Sequence, residues 1–157
     1  MKEKTIYVET DFEQVQAFCE FAEKYKSDFL MPKMQHFLDM DVKEIYKWVV
    51  NAYSLEKDEI NLRPSIYFDM VKQTGKALDC DDAFIFWVAL LRCAGVSKDN
   101  ILVCEAQENG RGDYCHIFAA VNVGGKTIWL DNLPGTAYGV LIYPKSWLRV
   151  TRLSEYI

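Results

Sequence analysis

Residues 74–95 read TGKALDCDDAFIFWVALLRCAG, and this stretch decides the architecture. From Ala83 to Leu91 no polar residue interrupts the apolar run. Its length, from Cys80 to Ala94, and its Asp-rich start favour helix over strand. Asp79 stands at the capping position, and Asp81 and Asp82 complement the positive end of the helix dipole. Gly95 falls where a left-handed glycine ends a helix, with Arg92 in the last turn. A helix that is apolar on every side must be buried on every side. The run therefore predicts the central helix of the domain.

Upstream, the pattern is also helical. Thr10 and Glu13 have capping-box spacing, and Phe12, Val15, Phe18, Cys19, Ala22 and Tyr25 follow at helical period, which predicts a helix from about Asp11 to Lys26. Asp41 with Glu44 marks a second start, and Val42, Ile45, Trp48, Val49 and Ala52 form its apolar stripe to about Tyr53. Ser54 to Pro64 is polar and turn-like. Ser65 to Lys72 predicts a short helix that Thr74-Gly75 ends.

Downstream of Gly95 the period changes to strand. Asn100–Ala106 and Tyr114–Val123 are runs of strand type, separated by a loop over Glu108–Asp113. Gly124-Gly125 is a two-residue hairpin signal, from which Lys126–Asp131 returns antiparallel. Asn132–Gly135 is a turn. Ala137–Tyr143 and Ser146–Leu153 are two further predicted strands. Helices first and strands afterwards make an α+β pattern. The expectation is one domain over 1–157, helical over about 1–95 and a β-meander over about 100–157.

Composition narrows the function classes. The chain has 157 residues, 50% of them hydrophobic, with a net charge of −5. That is enough apolar material for a core, and the acidic balance without a Lys/Arg cluster argues against nucleic acid. The longest apolar run is too short to span a bilayer, and MKEKTIYVET has no apolar signal region, so a cytoplasmic protein without membrane contact is expected. Five cysteines, an odd number, read as thiols in a reducing compartment. There is no G-x-x-x-x-G-K-[ST] or G-x-G-x-x-G, no C-x-x-C and no paired His/Cys spacing, so neither a cofactor nor a metal is expected.

Cys80, His116 and Asp131 stand apart. Cys80 lies in the first turn of the buried helix, where unpaired N–H groups and the dipole favour a thiolate and can hold an oxyanion. Asp81 and Asp82 oppose that thiolate, so a histidine partner is required. A two-residue turn at Gly124-Gly125 pairs Val123 with Lys126, Ala120 with Trp129 and Phe118 with Asp131. His116 and Asp131 then share a face as diagonal neighbours, close enough for an imidazole–carboxylate hydrogen bond. Cys115 should point to the opposite face. Cys19, Cys93 and Cys104 sit on apolar faces and read as core thiols, and His36 reads as a surface or packing histidine.

GKALDCDDAFIFWVALLRCAGV (75–96) and HIFAAVNVGGKTIWLDNLPG (116–135) together resemble the transglutaminase-like superfamily, in particular its small bacterial and phage-encoded members. The resemblance covers Thr74 to Pro134. It implies a papain-like α+β fold in which N-terminal helices and a buried helix, carrying the nucleophile at its start, pack on an antiparallel sheet. It makes Cys80 the nucleophile, His116 the base and Asp131 the orienting carboxylate. Asn132 stands where a proline is frequent in that family, and Phe84 and Phe86 are bulkier than its usual residues. Tyr67 and Gln73 are upstream candidates for a second oxyanion donor besides the Cys80 N–H.

Two functions follow as expectations. One is thiol-dependent acyl transfer on a peptide or protein amide, as a cysteine peptidase, amidase or transglutaminase, with hydrolysis favoured because water needs no binding site of its own. The other is a non-catalytic module of the same fold that binds or assembles, its aromatic residues forming a contact surface.

Overall fold

A computed structural model describes residues 12–54, 61–76, 78–107, 113–133 and 136–157. Their architecture is α+β. Five α-helices precede a four-stranded antiparallel sheet: α1 (Phe12–Lys24), α2 (His36–Asp39), α3 (Val42–Ala52), α4 (Pro64–Thr74) and α5 (Cys80–Cys93), then β1 (Ile101–Gln107), β2 (Tyr114–Val123), β3 (Lys126–Leu130) and β4 (Leu148–Arg152). Among the described residues no helix is long and apolar enough to cross a membrane.

The helix at 80–93 is the axis of the molecule. Its buried residues run without a gap from Asp82 to Leu91, so it is enclosed on every side, as an all-apolar helix must be. A capping box opens it: the Asp82 N–H donates to Asp79 Oδ1 (3.0 Å) and the Asp79 N–H donates to Asp82 Oδ2 (3.2 Å). Gly95, at φ 91°, lies just past its end. Asp41 caps α3 by accepting from the Lys43 N–H, and Gly75, at φ 81°, ends α4. Thr10 and Asp11, proposed for the start of α1, lie outside the described residues, as do most of the 54–64 turn and most of the 108–113 loop.

The sheet has the order β3-β2-β1-β4. The β2–β3 register pairs Val123 with Lys126 and Ala120 with Trp129, as the Gly-Gly turn requires, with Gly124 at φ 57° and Gly125 at φ 80°. One face of the sheet, with Val103, Ile117, Ala119 and Leu130, joins the core around α5. The other face carries Cys104, Phe118 and Ala120 under Trp129, Leu141 and Tyr143.

The last third of the chain departs from a simple meander. β4 pairs with β1, not beside β3, so the chain crosses the sheet between them. Ala137–Tyr143 is that crossing and not a strand. Its alternating apolar residues are satisfied in another way: Leu141 and Tyr143 pack on the sheet face, while Val140 and Ile142 are exposed. Gly139, at φ 73°, breaks the extended backbone there. The predicted strand at Ser146–Leu153 shrinks to β4, preceded by a 3-10 turn at Lys145–Trp147.

Candidate functional site

The ends of three elements meet at one small pocket. Cys80, at the first position of α5, His116 of β2 and Asp131, just past β3, all line it. β3 stops at Leu130 opposite Ala119, so the first half of β2 has no partner on that side. Consecutive β2 residues, His116, Ile117 and Phe118, therefore reach the same pocket from an open strand edge. The pocket is narrow and partly open to solvent, with free space for little more than a water-sized group.

His116 Nε2 lies 2.9 Å from Asp131 Oδ1. The diagonal placement on the hairpin is what brings them together. Because a carboxylate accepts, this bond puts the ring proton on Nε2 and leaves the Nδ1 lone pair free. The ring is also held by stacking on Phe118, at a centroid distance of 5.5 Å.

Asp131 is itself clamped. Its Oδ1 accepts from the Leu133 N–H (3.1 Å). Its main-chain carbonyl accepts from the Tyr46 hydroxyl (2.7 Å) and the Thr136 hydroxyl (2.6 Å). Tyr46 comes from α3, some eighty residues away in sequence. No local pattern marks either hydroxyl group.

Cys80 is 6% exposed. Its Sγ–H lies 3.4 Å from Asp81 Oδ1, the unfavourable neighbour expected from the sequence. Asp82 is less of an obstacle than its type implies. Burial first, and then the adjacent Asp79, push its carboxyl up to about 9, so it keeps its proton at neutral pH and adds no charge near the thiol. The other thiols differ. Burial, aided by Glu105 and Glu20, pushes Cys19 up to about 12, and burial likewise raises Cys93. Cys104 is driven higher still, again chiefly by burial. Cys19 and Cys104 are core thiols with little thiolate at neutral pH, whereas Cys93 is half-buried at the edge of the core.

No family model, curated protein or solved structure matches this chain.

Several expectations change at the site. Neither Tyr67 nor Gln73 lines the pocket. The Tyr67 hydroxyl is engaged elsewhere, accepting from the Leu62 N–H (3.1 Å) and bonding to Asp82, while Gln73 is exposed near the end of α4. Tyr53 and Asn132 line the pocket instead. Asn132 Oδ1 accepts from the Trp87 indole N–H (2.8 Å), which gives a physical reason for an amide where a proline was expected. Its Nδ2 is buried and has no hydrogen-bond partner among the described residues. The β1–β2 register shifts at Ala106/Gln107, leaving Cys115 as the extra residue beside His116. That bulge interrupts the alternation on which an opposite-facing Cys115 depended, and Cys115 is close enough to Tyr143 to help raise its hydroxyl pKa. His36 is exposed and packs on Phe37 and Phe68, as expected of a packing histidine.

Proposed function

We propose that this chain catalyses thiol-dependent acyl transfer on a peptide or protein amide, as a transglutaminase-like enzyme of papain-like fold. The observation that carries this is the 2.9 Å His116–Asp131 contact in the pocket that Cys80 also lines. The residues from Thr74 to Pro134 that resemble that superfamily support it as well.

In this mechanism Asp131 holds the imidazole with Nδ1 free, and Nδ1 takes the Cys80 proton. The sulfur bonds to the amide carbon, and the π pair moves onto oxygen. Collapse re-forms the carbonyl and breaks the C–N bond, and His116 returns its proton to the departing amine. Water then attacks the thioester, giving a carboxylic acid and the free thiol. An amine in place of water would give a new amide. The small pocket favours a substrate carbonyl on an extended chain or a side-chain tip over a bulky ligand.

The burial of Cys80 favours a second function, a non-catalytic module of the same fold. Iodoacetamide labelling with site mapping separates the two, using wild type and His116→Ala. Acyl transfer predicts that Cys80 labels fastest of the five cysteines and slows by about a hundredfold without the imidazole. Uniform slow labelling, unchanged by the substitution, establishes the non-catalytic module.

A further inference from the structure

Acyl transfer places negative charge on the substrate oxygen, and a buried pocket must supply donors for it. The Cys80 N–H, in the first turn of α5, is one. We propose that the Tyr53 hydroxyl is the second, donating to the oxyanion formed at Cys80. The assignment deepens the proposed acyl transfer and rests on it.

Tyr53 follows α3 directly and forms an isolated parallel bridge with Leu78, two residues before the nucleophile. Two main-chain bonds lock that bridge: Ser54 N–H to Leu78 O (2.6 Å) and Leu78 N–H to Ala52 O (3.1 Å). The tyrosine is thus tied to the strand of chain that delivers Cys80. It is 8% exposed and lines the pocket. Among the described residues its hydroxyl makes no hydrogen bond. A phenol on the pocket wall with no partner among them keeps its O–H available for a group that arrives with the substrate. Burial, and then Cys80, Asp131, Asp79 and Asp81, raise its pKa, so it retains its proton and stays a donor across the working pH range.

Asn132 Nδ2 is the other unpartnered donor on the wall. Its amide is fixed by Trp87, two turns along α5 from Cys80, whereas Tyr53 is bridged two residues from it. In the step, the sulfur–carbon bond forms, the carbonyl pair moves to oxygen, and that oxygen accepts from the Cys80 N–H and the Tyr53 O–H. The phenol transfers no proton, and its hydrogen bond lapses as the carbonyl re-forms.

Two probes isolate this role. Acylation by p-nitrophenyl acetate passes through a tetrahedral oxyanion, and alkylation by iodoacetamide does not. For Tyr53→Phe in the full chain, acylation at Cys80 should fall about a hundredfold while its alkylation stays within about twofold of wild type. Acylation at the wild-type rate, or an equal fall in both rates, overturns the assignment. If wild-type Cys80 reacts with neither probe faster than the other cysteines, acyl transfer itself fails, and the role of Tyr53 with it. Tyr53→His, which keeps a ring N–H donor, should acylate faster than Tyr53→Phe, and, if the Phe variant does not fold, faster than Cys80→Ser. A His variant as slow as wild type lacking the pocket thiol (Cys80→Ser) overturns the assignment equally.

Discussion

Cys80 and Cys104 are both withdrawn from water, yet their surroundings set them apart. Cys104 sits at the centre of β1, opposite Phe118 on one side and Val150 on the other. Burial dominates there, and Asp131 and Glu105 add to it, so the thiol holds its proton far above neutrality. Cys80 is nearly as buried but stands at the end of an element. It faces a cavity that also holds an imidazole, and Asp82, the third-position acid of the capping box, carries a proton. Burial alone switches a thiol off. A position at a helix N-terminus, facing a pocket that also holds an imidazole, is what distinguishes the one cysteine.

Exchanging sulfur for oxygen at each position tests that contrast most severely. Cys80→Ser should reduce acylation by p-nitrophenyl acetate to background while leaving the urea midpoint near wild type. Cys104→Ser should do the reverse, keeping Cys80 reactive and costing about 1–3 kcal/mol for a hydroxyl placed in an apolar layer. Loss of Cys80 reactivity in the Cys104 variant would show that the two regions are coupled.

Asp131→Asn sharpens the comparison at the base. The amide can offer its oxygen or its nitrogen to His116 Nε2, so the tautomer is no longer imposed. The acylation rate should drop by about tenfold to a hundredfold, with little change in alkylation of the other cysteines. An unchanged rate would reduce Asp131 to a structural anchor for the chain after β3.

The last contrast concerns Asp82, whose effect is on stability and not on the reaction. Its folded carboxyl is raised to about 9, whereas an unfolded aspartate titrates near 3.8. Between those values the unfolded chain has lost a proton that the folded chain keeps, so stability is fully present at low pH and declines as pH rises. Asp82→Asn, which mimics the neutral form, should remove that decline. Urea unfolding at several pH values should show the variant gaining on wild type by up to about 1.4 kcal/mol per pH unit. Parallel pH curves would mean that Asp82 ionises normally in the fold.

Much of the site was legible because its parts are local. The Asp-rich start and unbroken apolar run of 79–91 specify a capped, enclosed helix with Cys80 in its first turn. Gly124-Gly125 specifies the hairpin register, and the register specifies the His116–Asp131 diagonal. Tyr53, Tyr46 and Asn132 were not legible, because each reaches the site through a contact far off in sequence. Ala137–Tyr143 misled for a related reason. Apolar alternation records which side chains are covered, and a crossing segment over a sheet face covers alternate residues just as a strand does.

From the sequence alone came the helix-then-strand order, the enclosed helix and the face shared by imidazole and carboxylate, since capping, periodicity and two-residue turns act over a few neighbouring residues. The tertiary structure alone decided that β3 ends early enough to leave a pocket, that β4 crosses to the far edge of β1, and that Tyr53 and Asn132 close the wall around Cys80. These depend on packing between distant segments, which is settled by what the whole core leaves uncovered and not by any one stretch of residues.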